Sequence, residues 1–153
     1  MKKRTAIILS ILSIFVIVSL FLYGVYLNPN NETANFKLYK EDREEVVRML
    51  NEGEIKKEGE GGFAFYHTPP QFSKANVDDI LHARMYSEER HFVFFQWVDS
   101  PVFGPGLIEG FLYTSTGEPP TNREFSYLDS CHFEKIEGEE NWYFASNNTG
   151  YYD

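Results

Sequence analysis

The chain reads as α+β: an apolar N-terminal transmembrane helix, then one amphipathic helix on a curved antiparallel sheet of five or six strands. Three observations predict this. The stretch Ala6 to Leu27 carries no charge and follows directly on Lys2, Lys3 and Arg4. Residues 37–51 repeat their apolar positions with a period of 3.6. Beyond them, aromatic and β-branched runs alternate with a period of two between Pro and Gly breaks.

The first run comes earliest. A helix rises about 1.5 Å per residue, so 22 uncharged residues extend roughly 33 Å, against a hydrocarbon core of about 30 Å. Ser10, Ser13 and Ser19 are the only hydroxyls of its interior. Tyr23 and Tyr26 stand at the far end, where amphipathic rings favour the headgroup layer, and Asn28-Pro29 stops the helix. A cleaved signal peptide would have an apolar region of about 7–15 residues and a small-x-small cleavage site, and the run is longer and lacks that site. Basic residues before the run keep the N-terminus inside. The expected organisation is a cytoplasmic tail 1–5, an anchor 6–27, a tether 28–35 and an extracytoplasmic domain 36–153 at a bacterial cytoplasmic membrane.

From Asn28 onward the chain is long enough for one domain with a real core. Lys2, Lys3 and Arg4 precede the run, which leaves 11 of the 14 basic residues against 23 acidic ones, a net charge near −12. That balance argues against nucleic acid and anionic lipid as partners of this part. It serves solubility, and it would also suit capture of a cationic peptide or a divalent cation. Cys131 is the only cysteine, so burial rather than a disulfide must stabilise the domain. Aromatic residues at 17% supply the apolar area for that.

The amphipathic helix places Tyr39, Val46, Val47 and Leu50 on one side and Lys40, Glu41, Glu44, Glu45 and Arg48 on the other. Glu44 and Arg48 are spaced for an i,i+4 pair, and Asn51 and Gly53 supply the stop. The charged, glycine-rich stretch Glu52 to Gly62 reads as a mobile connection. Strands are expected at Gly62–His67, His91–Val98, Leu107–Thr114, Phe125–Ile136 and Trp142–Ser146. The segment Asn76–Tyr86 fits either a helix capped by Asn76 or a strand from about Ile80 that turns at Ser87–Arg90; we favour the strand.

Run 91–98 is apolar on both faces, with Phe92, Phe94 and Val98 on one and Val93, Phe95 and Trp97 on the other. Such a strand needs cover on both sides. The helix covers one face; curling of the sheet, a partner chain or a ligand must cover the other. A helix cradled by a bent sheet, as in cystatin-like or nuclear-transport-factor-like architectures, meets that need. Fold alone does not fix function.

Candidate chemistry is sparse. Cys131 and His132 are neighbours and would point to opposite faces of a strand, so a base for the thiol must be His67, His82 or His91. Sharing a face with Tyr127 and Phe133, Cys131 reads as a small buried hydrophobe. The histidines lack metal-ligand spacing, although His82 and His91 could meet across the 87–90 turn. Acidic clusters at 41–45, 52–60 and 137–140 follow no calcium-loop order and read as solvated faces. No cofactor is implied. The proline-framed loop Asp99–Gly106 presents Val102 and Phe103; with Trp97 and Phe95 they form the candidate binding residues. The expectation is a noncatalytic domain binding an envelope protein or peptide, in an accessory, regulatory or immunity-type role. Two alternatives stand beside it: an envelope hydrolase using Cys131 or paired carboxylates, and a small-ligand sensor.

Overall fold

A computed structural model describes residues 2–23, 31–58, 64–77, 79–87, 89–97, 107–121 and 124–147, with the backbone alone at 2–10 and 64. Tyr26, the glycines of 59–62, Val98, and the loop carrying Val102 and Phe103 lie outside the described residues. The chain divides into two compact units, residues 1–40 and 41–153.

In the first unit, helix α1 spans Lys2–Leu22, and its described side chains, Ile11 onward, are all exposed. Among the described residues, no helix is long and apolar enough to cross a membrane. Helix α2 spans Glu32–Asn51 and crosses from the first unit into the second. It begins five residues earlier than its apolar period suggests, inside the stretch read as a tether. The reason is a cap: Ala34 N–H donates to Asn31 Oδ1 at 3.0 Å, satisfying a donor that the first turn leaves open. Its end matches the expected stop. Gly53 has φ +72°, and Gly53 and Glu54 N–H return to Leu50 and Met49 carbonyls, the left-handed closure that glycine adopts without strain.

The second unit holds the rest of α2 and an open sheet with seven strands among the described residues. These are β1 Lys57–Glu58, β2 Ala64–His67, β3 Ile80–Met85, β4 His91–Gln96, β5 Glu109–Thr114, β6 His132–Lys135 and β7 Trp142–Ser146. All pairings are antiparallel, in the order β1-β2-β3-β4-β5-β7-β6. The count exceeds the expected five or six because β1 forms inside the supposedly mobile stretch 52–62, with Ile55 buried just before it. The favoured strand from Ile80 is present. Asn76 caps no helix; its side chain donates to Thr68 Oγ1 and Ile80 O, and accepts from Gln96 N–H. The expected strand 125–136 is instead a 3-10 turn, Ser126–Leu128, followed by the short β6.

Register sorts the side chains. Val93, Phe95, Phe111, Trp142 and Phe144 share one face, and the second half of α2 covers it with Arg43, Val46, Val47 and Leu50 buried. Phe92, Phe94, Leu112, Tyr143 and Ala145 share the other. The chain itself covers that second face: Phe125 and Leu128 are buried in one cluster with these residues, and Tyr127, Cys131 and Phe133 pack against it. This explains the strand order. Leaving β5, the chain passes over the second face, returns at the outer edge as β6, and then inserts β7 beside β5.

Arg90 staples the cover at its start. Its Nε and Nη2 each donate to Glu124 at 2.8 Å, and its Nη1 donates to Thr116 Oγ1 at 3.0 Å. Bidentate pairing of this kind fixes geometry as well as adding energy.

Candidate functional site: an acid-walled hollow at the end of α2

The last turns of α2 and the residue that follows place Glu44, Val47, Arg48, Asn51 and Glu52 over the ends of β5 and β7, where Tyr113 and Trp142 are register partners. Between β6 and β7 the chain turns through Gly138 at φ +80°, which any side chain would strain. Ile136 N–H donates to Trp142 O at 3.1 Å, and Glu139 N–H donates to Ile136 O at 3.0 Å. That tight turn brings Glu139 and Glu140 to the helix end. The result is a hollow of about 550 Å³, walled by Glu44, Glu52, Glu139 and Glu140 and floored by Val47, Tyr113 and Trp142.

One guanidinium sits on its rim. Arg48 donates to both oxygens of Glu45 at 2.7 and 2.9 Å, to Glu54 at 3.2 Å, and to Glu52. The expected Glu44–Arg48 pair is therefore not the one drawn: Arg48 turns to Glu45 and to the acids past the helix end. Its hydrogen bonds hold the Glu45 carboxyl below its ordinary range and push Arg48 further up. Both are exposed, so this pairing contributes little stability.

Chemically, the hollow attracts cations. Among the described residues, Glu44, Glu52, Glu139 and Glu140 line it beside one arginine, an excess of negative charge that favours a cation. Its lining, among the described residues, contains no Ser, Thr, Cys, His or Lys. The described residues contain no group of three His, Cys, Asp or Glu side chains placed to hold a metal ion.

The residues singled out in the sequence fall elsewhere. Phe95 is fully buried with its ring 5.8 Å from that of Trp142, so it is a core residue beneath α2. Trp97 is half-buried against Phe111 and Phe144. Val102 and Phe103 lie outside the described residues. Cys131 precedes β6, and burial pushes its thiol up to about 11. Thiolate, the nucleophilic form, is then scarce at neutral pH. The candidate bases do not gather. His82 stacks on Tyr127 at 3.8 Å, His91 is buried, and His67 lies between Glu58 and Asp79 at 3.1 Å from each. His82 pairs with Phe94 and His91 with Met85, so those two histidines do not face each other across the turn.

The acidic hollow was missed because its parts look bland in sequence. Glu44, Glu52 and Glu139-Glu140 belong to three separate clusters, each with the appearance of a solvated face. Only the β5–β7 pairing and the end of α2 bring them together. Comparison with known proteins returns no matching family model, no matching curated protein and no matching solved structure.

Proposed function

We propose that this chain is a noncatalytic binding module, held at a membrane through the uncharged run Ala6 to Leu27, that captures a cationic segment of an envelope protein or peptide. An accessory, regulatory or protective role fits such a module. The observation that carries the reading is the hollow at the end of α2, whose lining brings Glu44, Glu52, Glu139 and Glu140 together beside one arginine. The net acidity of everything after Leu27 supports it by steering basic ligands toward the domain. The membrane part of the reading rests on the uncharged run Ala6 to Leu27 behind Lys2, Lys3 and Arg4.

Trp142 under the hollow makes binding observable. The full chain in detergent is titrated with a Lys/Arg-rich peptide and with a Glu-rich peptide of equal length, following tryptophan fluorescence. Saturable binding of the basic peptide alone, weakened roughly tenfold by Glu139→Gln with Glu140→Gln, is expected. Equal response to both peptides, or none, removes the reading.

A further inference from the structure

His67, at the end of β2, holds two carboxylates at once. Its Nδ1 lies 3.1 Å from Asp79 Oδ2, and its Nε2 lies 3.1 Å from Glu58 Oε2. An ionised carboxylate only accepts hydrogen bonds, and a neutral imidazole carries a single N–H. Both bonds therefore exist together only while the ring is protonated.

The two carboxylates are not held alike. Asp79 is pinned: Thr68 N–H donates to its carbonyl at 2.9 Å, and Asn76 Nδ2 donates to Thr68 Oγ1 and Ile80 O at 2.9 and 3.1 Å. Glu58 belongs to β1, an edge strand of two residues whose register pairs are Lys57 with Tyr66 and Glu58 with Phe65. So short a strand opens easily, and one bond gained or lost shifts how often it is open.

We propose that His67 is a pH-operated latch: the imidazolium fastens β1 to the sheet edge, and loss of its proton keeps the Asp79 bond and releases Glu58. Once β1 lifts, the β2 edge presents open backbone groups beside Phe65, itself 41% exposed. The direction follows from the partners. The Asp79 hydrogen bond first, and the Glu58 charge after it, hold the proton on His67 above the ordinary 6.5. A group raised in this way contributes its stability fully below 6.5 and loses it as pH rises through the higher value. The latch is closed in acid and open in mild alkali.

Among the described residues, the other groups around the ring leave this balance in place. Its register partner on β3 is the uncharged Ile80, and Tyr66 and Lys57 pair on the opposite face. His82, two residues beyond Ile80, turns its ring to Phe65 and Tyr127. Lys56, exposed just before β1, falls on the Glu58 side by alternation and opposes the two carboxylates through solvent. The latch needs no ligand, so it stands apart from the binding reading.

The test uses the full chain in detergent. An NMR titration of the His67 ring should give a midpoint above 6.5, and Glu58→Gln and Asp79→Asn should each lower it. Amide exchange of β1, corrected for the intrinsic effect of pH, should lose protection roughly twofold to fivefold between about pH 5.5 and 8.5, the scale of one exposed ion pair. That step should share the His67 midpoint, while β4 and β5 keep their protection. His67→Gln and Glu58→Gln should each abolish the step; both positions are exposed, and circular dichroism verifies that the variants fold. A midpoint at or below 6.5, or one that neither substitution moves, overturns the latch. So does a step that survives His67→Gln, or β1 protection that stays level while His67 titrates.

Discussion

The two faces of the sheet are covered by different means. Over one lies a helix with regular spacing, a capped start and a glycine stop. Over the other lies an irregular segment, 124–131, that contributes Phe125, Leu128 and a 3-10 turn. Both seal their face: Phe92, Val93, Phe94 and Phe95 are each fully buried. The helix carries its own backbone hydrogen bonds, so it can end over a hollow and still be stable. The irregular cover has only short turn bonds, such as Leu128 N–H to Phe125 O and Cys131 N–H to Leu128 O, and side chains, Arg90–Glu124 foremost, add to its hold. The acidic hollow proposed to bind accordingly sits on the helix side.

The largest effect should come from the irregularly covered face, at Gly110. A Cβ there would lie 2.2 Å from the Phe95 carbonyl oxygen and 2.7 Å from the Phe94 ring. Backbone cannot yield as a flexible side chain does, so Gly110→Val should cost more than about 3 kcal/mol in denaturant unfolding. A stable variant would mean that this face is packed more loosely than described. Next, Phe125→Ala removes the buried ring of the irregular cover and should cost about 3 kcal/mol. A loss under about 1 kcal/mol would show that 124–131 is not a true core layer.

On the helix side, Arg43 is 1% exposed, donates Nε–H to Ala75 O at 2.9 Å, and lies 4.2 Å above the Phe111 ring. Arg43→Ala should cost about 2–3 kcal/mol through lost packing and an unmet carbonyl. Arg43→Met, which keeps the volume, should recover most of that loss. If Met is no better than Ala, the charge matters more than the stem.

A smaller effect separates the covers by pH. Arg90, with Thr121 N–H and Oγ1–H, holds the Glu124 carboxyl down to about 2 from its ordinary 4.5. A lowered carboxyl contributes stability above 4.5 that is lost as pH falls toward 2. Acid should therefore loosen the 124–131 cover in that window, and Glu124→Gln should flatten the acid limb at a cost of roughly 1 kcal/mol at neutral pH. Hydrogen exchange of the Leu128 and Cys131 amides, both turned inward within the segment, reads the loosening directly. An unchanged acid limb in Glu124→Gln would assign acid sensitivity elsewhere.

How much was legible in the sequence follows the same division. The covering helix was readable because Val46, Val47 and Leu50 repeat with its period, although Asn31 as cap was overlooked among the residues of a supposed tether. Strands β3, β4, β5 and β7 were readable from alternation. The cover 124–131 was not, since its aromatics mimic a strand: Phe125, Tyr127 and Phe133 alternate correctly while the backbone between them coils. The acidic hollow was illegible for a related reason. Periodicity reports which face a residue takes within its own element, and nothing in it reports which elements end side by side.

The placement of β7 has a consequence for synthesis. Because β7, the last strand among the described residues, slots between two earlier ones, a ribosome that stops short of Trp142 releases a chain whose β5 edge and β6 backbone both lack this neighbour. Such a fragment would display open hydrogen-bonding groups beside Phe111 and Leu112, the pattern that invites self-association and degradation. Stalled products of this gene should be cleared rather than accumulate as partly working domains.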